Sequence, residues 1–385
     1  VFNPQKIFKT MKRLIFLSLL SLSLFFSQTA CEKIPIPCSG NDCFDIDQFA
    51  ENMNQQLNGQ VGYAYAIYYQ GQLQKFRSDG YSRTPVDGGE LFAPNFRMNV
   101  ASISKTLTAI AVLQLLDQNN LSLNSSISPW LPNGWVVGPN VSGLTFQDLL
   151  THNTGFRSDP NDCSNNFSPL DYNTLRDKVR DGIDLADKTP CYQNINFALF
   201  RIIIPRLNGY QPPFGTNAAQ GYAQAYVSYL QQHIMEPLTI WNAECKSPQD
   251  HPVYCYPFPH NGIAGVDPGD WTLISGGGGW NLAVTELGRI ISSLDQDQQL
   301  LSTNMKNQMF GQLLGCYQTA STYGDMFHHN GGLGYGTGVP NKDAGLASCY
   351  YRYPNEVVAV LYINSAPQPM FINTIMENAW LNAWN

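Results

Sequence analysis

The chain has 385 residues, 43% of them hydrophobic and only 13% charged, which suits one large or two ordinary globular domains with a sizeable core. The formal net charge is −7, and no Lys/Arg-rich run occurs beyond the N-terminus. A nucleic-acid partner is therefore excluded on electrostatic grounds.

The first segment reads as an export signal. "MKRLIFLSLLSLSLFFSQTAC" has a basic start at Lys12 and Arg13, an apolar stretch from Leu14 to Phe26, then small residues and Cys31. It is too short and too serine-broken for a comfortable membrane span. Residues 1–30 are read as a signal peptide, with residues 1–10 upstream of the true start. Cys31 directly follows Ala30 and resembles the acylated cysteine of bacterial lipoproteins. Gln28 stands where that signal usually has an aliphatic residue, so plain secretion is the alternative. The expected location is periplasmic or cell-surface, with the membrane met only through a lipid anchor. Residues 31–44 read as a tether, and residues 45–385 as one catalytic domain with a helical, loop-rich subregion at about 120–300.

Within that domain, "QVGYAYAIYYQGQLQKFRSDG" (60–80) alternates apolar and polar residues around Gln70-Gly71, a β-hairpin pattern. "SISKTLTAIAVLQLLD" predicts an apolar helix from about Ser102 to Asp117. Helical pieces follow at "NINFALFRIII" and "AQAYVSYLQQHIM". "SGGGGWNLAVTELGRIISSL" reads as a glycine turn and a helix. "GLASCYYRYPNEVVAVLYINS" predicts two strands turning at Pro354-Asn355, and an amphipathic helix closes the chain. Hairpin connections at both ends, without βαβ crossovers, point to an α+β fold with an antiparallel sheet flanked by helices.

Eight cysteines remain after Cys31. An even number in an exported chain implies up to four disulfides. Neighbour pairing gives Cys38–Cys43, Cys163–Cys191, Cys245–Cys255 and Cys316–Cys349. No C-x-x-C pair exists, which argues against a thiolate metal site.

The most informative pair is Ser102 and Lys105. Residues three apart share a helix face, so the hydroxyl and the amine can touch. At a helix N-terminus, among apolar residues, a lysine is disfavoured as a cation and its pKa falls. A neutral amine can take the proton of a hydroxyl, which then attacks a carbonyl carbon. Ser104 points about 100° around the helix from this position and is the poorer nucleophile. The competing reading is a helix cap beside an ordinary lysine.

Ser-x-x-Lys opening a buried helix resembles the signature of penicillin-binding proteins and β-lactamases. The stretch is similar to the branch that holds class C β-lactamases, DD-peptidases and related serine esterases. That resemblance implies a Tyr-x-Asn motif and a later Lys-Thr-Gly or His-x-Gly on a strand. Tyr-x-Asn occurs at Tyr192, Tyr353 and Tyr362, and only Tyr192-Gln193-Asn194 lies in the middle region. "FHHNGGLGYG" supplies His329-Asn330-Gly331, with Gly332 next. The resemblance implies Ser102 as nucleophile, Lys105 as base and Tyr192 as proton shuttle. It implies Asn194, His329, Gly331 and Gly332 as substrate-binding, with the Gly332 and Ser102 N–H groups as oxyanion donors. "LLTHNTGF" (149–156) and "SGGGGWNLAVTELGRI" (275–290) match the same family and read as scaffold, His152 included.

The histidine at 329 replaces the lysine of true β-lactamases and DD-peptidases, which weakens carboxylate recognition. The expected activity is that of a secreted serine hydrolase, an esterase or a peptidase/amidase, needing no cofactor and acting on a small ester, amide or peptide. A β-lactamase or DD-carboxypeptidase proper, and a non-catalytic cell-wall-binding or sensor module, are the alternatives. A metallohydrolase built on His251, His260, His328 and His329 lacks any metal-ligand spacing.

Overall fold

The computed structural model describes residues 38–39, 42–159, 163, 166–168, 170–296, 299–337, 343–365 and 369–385. The signal peptide, Cys31 and most of the tether lie outside the described residues. The chain divides into two units, 1–44 and 45–385. In the first, Cys38–Ser39 and Asp42–Cys43 pair as a minimal antiparallel ladder closed by a Cys38–Cys43 disulfide.

The second unit is built on a seven-stranded antiparallel sheet. Its strands are β1 (Gly62–Tyr69), β2 (Gln72–Arg83), β3 (Glu90–Leu91), β4 (Tyr317–Ser321), β5 (Gly324–Tyr335), β6 (Ala344–Arg352) and β7 (Val357–Ile363). Their order across the sheet is β3-β2-β1-β7-β6-β5-β4. N-terminal and C-terminal hairpins therefore meet at the β1–β7 seam, where Tyr65 sits opposite Leu361.

The helices are α1 (Ile46–Gln56), α2 (Ser104–Gln118), α3 (Phe146–Leu150), α4 (Tyr172–Asp181), α5 (Asn194–Ala198), α6 (Phe200–Leu207), α7 (Ala218–Leu230), α8 (Val284–Gln296), α9 (Thr303–Gly311) and α10 (Pro369–Leu381). Helices α1 and α10 cover one face of the sheet. On that face Tyr351 donates to Glu377 and Tyr353 donates to the Met376 carbonyl. Helix α8 covers the other face, where Tyr68 donates to the Thr285 carbonyl. This is the α+β arrangement that the hairpins imply.

One expectation changes in detail. The 60–80 hairpin reads as alternating, yet every residue of β1 is buried while β2 is mostly exposed. A central strand covered on both faces buries both sets of side chains, and its tyrosines bury ring surface there.

Helix α2 is the axis of the helical half. It packs on α6, α7 and α9, and twelve of its fifteen residues are buried. A helix apolar all round needs such an enclosed position. The turn before it, Ala101–Ile103, rests on β5 and β6.

The cysteine pairing is half corrected. Cys163–Cys191 forms a disulfide, but Cys245, Cys255, Cys316 and Cys349 are free, buried thiols. Strand periodicity explains why Cys316 and Cys349 do not meet. Cys349 lies on the α10 face of β6, with Tyr351 and Tyr353. Cys316 faces Met309, Tyr350 and Arg352, whose β6 members have the opposite parity. Cys245 and Cys255 engage different ends of one segment. Cys245 accepts from the Trp271 N–H, and Cys255 pairs with Val266. Alkylation of the denatured, unreduced protein should thus label Cys245, Cys255, Cys316 and Cys349 and spare Cys38, Cys43, Cys163 and Cys191. The native protein should resist labelling at all eight. Peptide mass mapping reads both outcomes.

Candidate active site

The site assembles where α2 begins. Asn99 pairs with Asn281 in a short ladder, Met98↔Leu282 and Asn99↔Asn281. The Val100 N–H donates to the Trp280 carbonyl at 2.8 Å, and Ser348 Oγ donates to the Val100 carbonyl at 2.8 Å. Ala101 is held at φ 47°, a left-handed conformation that costs about 1–3 kcal/mol for a non-glycine residue. Asn99 Oδ1 secures it by accepting from the Ala101 N–H at 2.9 Å. The chain thus enters α2 with Ser102 on a sharp, over-determined turn.

Close approach of β5 makes that turn possible. A Cβ on Gly331 would sit 2.4 Å from the Val100 carbonyl oxygen and 2.7 Å from Ser348 Oγ. Gly331 therefore packs under the turn, while Gly332 opens into the recess beside Ser102.

Lys105, one turn into α2, is fully buried. Its Nζ lies 3.1 Å from Ser102 Oγ, 2.7 Å from Asn194 Oδ1 and 2.5 Å from the Gly277 carbonyl oxygen. The last two are acceptors only, so they hold two N–H bonds of the amine. The third position faces the serine hydroxyl, where a neutral amine presents its lone pair. Burial pulls the Lys105 pKa down from 10.5 to about 7, because charge is disfavoured away from water.

Tyr192 closes the other side of the serine. Its phenol donates to Ser102 Oγ at 2.8 Å, and its ring centre lies 4.9 Å from Lys105 Nζ. Burial raises its pKa to about 12, so the phenol is a protonated donor at neutral pH. The 149–156 segment, read as scaffold, and the loop that carries Cys163 and Asn166 position this residue. The His152 ring lies 4.5 Å from the Tyr192 ring, and its Nδ1 accepts from the Gln193 N–H and from Asn196. Thr154 donates to Asn196 Oδ1 at 2.7 Å. Asn166 Oδ1 accepts from the Asn194 N–H at 2.7 Å, and the Cys163–Cys191 disulfide ties the same loop to the residue preceding Tyr192.

His329 lies on β5, 2% exposed. Its Nδ1 meets the Asn330 carbonyl oxygen at 2.6 Å, and a carbonyl can only accept, so Nδ1 carries the hydrogen. Burial, then the nearby Lys105, pushes its pKa down to about 3. The ring is neutral at any physiological pH. His328 bonds Thr319 and stacks on Tyr351. His251 bonds Glu90, and His260 meets the Ile263 carbonyl. No three His, Cys, Asp or Glu side chains converge on a metal position among the described residues.

The structure thus brings together Ser102, Lys105, Tyr192, Asn194 and Gly332, places His329 alongside, and sets Gly331 beneath. Sequence reasoning missed Gly277, read as scaffold, whose carbonyl holds the lysine. It also missed Asn166 and Ser348. The run of four glycines from Gly276 was the one available signal, since such a run lets two backbones approach.

A family model for β-lactamase matches residues 48–376. The chain belongs to the β-lactamase family. Teichoic acid D-alanine hydrolase of Staphylococcus aureus (strain MRSA252) is 23% identical over 272 residues, 69% of this chain and 60% of that protein. The chain therefore spans less than two thirds of the curated relatives it matches. The FmtA structure from Staphylococcus aureus aligns with a TM-score of 0.66 at 19% identity, over 90% of this chain and 93% of that one. A class C β-lactamase from Rhodobacter sphaeroides aligns with a TM-score of 0.61 at 15% identity, over 87% and 99%. In this β-lactamase family member the seven-stranded sheet and the helical half meet at Ser102, the position at which the sequence resemblance places the nucleophile.

Two outcomes follow from the geometry. Activity that needs neutral Lys105 should rise with pH through an inflection near 7, because protonation below that value removes the lone pair. His152 and His329 are already neutral there, so replacing His329 by Gln should leave the inflection in place in a kcat/KM–pH profile. Gly331→Ala should force the Ser102 turn off β5 and destabilise the protein by about 1–3 kcal/mol, read from the denaturant midpoint.

Proposed function

We propose that this protein is an exported serine hydrolase that forms an acyl-enzyme on Ser102 and cleaves small esters, amides or peptides. The observation that carries this reading is the placement of Lys105 Nζ and Tyr192 Oη at 3.1 and 2.8 Å on either side of Ser102 Oγ. Lys105 takes the serine proton as Oγ attacks the carbonyl carbon. The oxyanion rests between the N–H groups of Ser102 and Gly332. Tyr192 gives its proton to the departing oxygen or nitrogen and regains one from Lys105. Water then repeats the sequence to release the acid. Asn194 keeps Lys105 in place through Oδ1 and turns its amide nitrogen to the substrate. No cofactor is required.

Esters and amides without a carboxylate next to the scissile bond suit the site best. The resemblance to true β-lactamases and DD-peptidases implies a third-motif lysine that receives that carboxylate, and here His329 stands in its place and is neutral. For this reason the esterase or amidase reading stands ahead of a β-lactamase or DD-carboxypeptidase. The name of the teichoic acid D-alanine hydrolase relative is consistent with a small acyl group leaving a larger carrier. Export is supported by the N-terminal pattern and by two disulfides, which persist in oxidising compartments. No described helix is long and apolar enough to cross a membrane. The attachment point in this reading is Cys31, by its resemblance to a lipoprotein's acylated cysteine.

The test is hydrolysis of 4-nitrophenyl acetate together with fluorophosphonate labelling read by intact mass. Ser102→Ala should abolish both signals. Lys105→Ala and Tyr192→Phe should each lower kcat by roughly 10²–10⁴-fold. Full activity in Ser102→Ala would overturn the mechanism.

A further inference from the structure

Two recesses adjoin the Ser102 set, and they differ in character. The smaller, of ≈ 100 Å³, contains Ser102, Asn194 and Gly332 and is walled by Leu170, Trp271 and Leu333. The larger, of ≈ 270 Å³, borders the site through two of its lining residues, His329 and His152, the latter packed on the Tyr192 ring. One of its walls is the end of α3 with His152, whose ring touches Tyr192. Its other wall is residues 312–317 with His329, whose ring centre is 4.9 Å from that of Tyr317. Gln147 Nε2 donates to Gln312 Oε1 at 2.9 Å and ties the two walls together.

This second recess is built at a cost. His152 and Leu313 both line it, and both sit at φ 56°. A bulky residue in the left-handed region is uncommon, and such strain concentrates at functional sites. Leu313 is also 38% exposed, an apolar residue left partly uncovered where it lines the recess. The lining carries no fixed cation. Burial holds His152 neutral and lifts the Cys316 thiol to about 12. Arg352, whose charge reaches Cys316, is paired with Asp295 and lies over Phe310 and Phe327.

Proton transfer decides what each recess receives. As Oγ bonds to the carbonyl carbon, its proton passes to Lys105. When the bond from carbon to the leaving oxygen breaks, Tyr192 Oη–H supplies that oxygen's proton, and Lys105 returns the serine's proton to Tyr192. The leaving oxygen must then lie within hydrogen-bond reach of Tyr192, with its substituent on the Tyr192 flank. The acyl carbon stays with Ser102 and Gly332 in the smaller recess. We propose that the recess lined by Leu150, His152, Leu313, Cys316, Tyr317 and His329 is the leaving-group subsite, and that it takes an uncharged, apolar alcohol. This rests on the serine-hydrolase reading above. A carboxylate on the leaving group would lose its hydration there with no counter-ion.

The test uses acetate esters that share one acyl group. Wild-type kcat/KM should favour 4-ethylphenyl acetate over 4-carboxyphenyl acetate by roughly 10-fold or more. Leu313→Lys, which adds a cation, should shrink that ratio by a similar factor, and Leu313→Trp should lower the ratio of 1-naphthyl to ethyl acetate. In parallel, calorimetry of 1-naphthol with Ser102→Ala protein should show binding that Leu313→Trp weakens roughly 10-fold. Equal use of both phenyl esters, ratios that ignore both Leu313 variants, or naphthol binding untouched by Leu313→Trp would each overturn the subsite. Failure of the hydrolase reading looks different: no fluorophosphonate adduct on Ser102 and no turnover of any ester. The leaving-group assignment would fall with it, and the naphthol measurement would still decide whether the recess binds apolar alcohols.

Discussion

The whole arrangement depends on keeping one amine dry. Removing an ammonium group from water costs several kcal/mol even after the protein relaxes. Lys105 is fully buried, and the fold answers that cost with three polar partners, two of them from distant parts of the chain. Ser102 comes from the turn that leads into the amine's helix, Asn194 from the start of α5, and Gly277 from the glycine turn before α8. None of them is an anion. A carboxylate in any of these positions would hold the lysine charged and unable to act as the proposed base. Neutral dipoles hold the amine in place while leaving its pKa near 7, where it can gain and lose a proton.

That requirement orders the surrounding architecture. Gly277 reaches the amine because the 98–99 and 281–282 segments pair and bring the glycine turn alongside α2. The α2 entrance is pinned to the sheet by Ser348 through Val100, and β5 can approach because position 331 has no side chain. Strain at Ala101 is stored at the residue before Ser102 and balanced by the Asn99 cap and the ladder. The helical half contributes Tyr192 and Asn194 from a segment stapled by Cys163–Cys191 and braced by His152, Thr154 and Asn196. Sheet and helices each supply part of the site, so neither half makes it alone.

Much of this was legible in the sequence where the signal was local. Ser102 and Lys105 are three residues apart, and helix geometry alone brings them together. The hairpins, the apolar α2 and the closing helix also follow from short-range patterns. Choosing Tyr192 needed the family order, because three Tyr-x-Asn matches look alike as text. The structure shows where the other two go. Tyr353 donates to the Met376 carbonyl beneath α10, and Asn364 donates to the Tyr81 carbonyl. What stayed hidden was long-range. A backbone carbonyl such as that of Gly277 has no sequence signature, and Asn166 is one asparagine in a loop full of polar residues. The cysteines mislead for a related reason. Proximity in sequence favours pairing, but the side a strand residue faces is set by register, which the sequence alone does not fix.

The neutral histidine at 329 then acquires a meaning beyond the loss of a charge. A substrate carboxylate bound near Lys105 would favour the protonated amine and raise its pKa, whereas a fixed cation beside it would lower that pKa. A site that receives carboxylates needs both charges so that their effects on the base offset each other. Here neither is provided. Nδ1 of His329 is committed to the Asn330 carbonyl, and burial keeps the ring uncharged. Burial is what lowers the Lys105 pKa, and His329 adds no fixed charge to that balance. In the proposed mechanism a neutral substrate leaves that setting undisturbed, while an anionic one would favour the protonated amine as it bound. If Lys105 is the base proposed above, substrate charge and base strength are coupled through a single electrostatic constraint, and a histidine in place of lysine at 329 moves both at once.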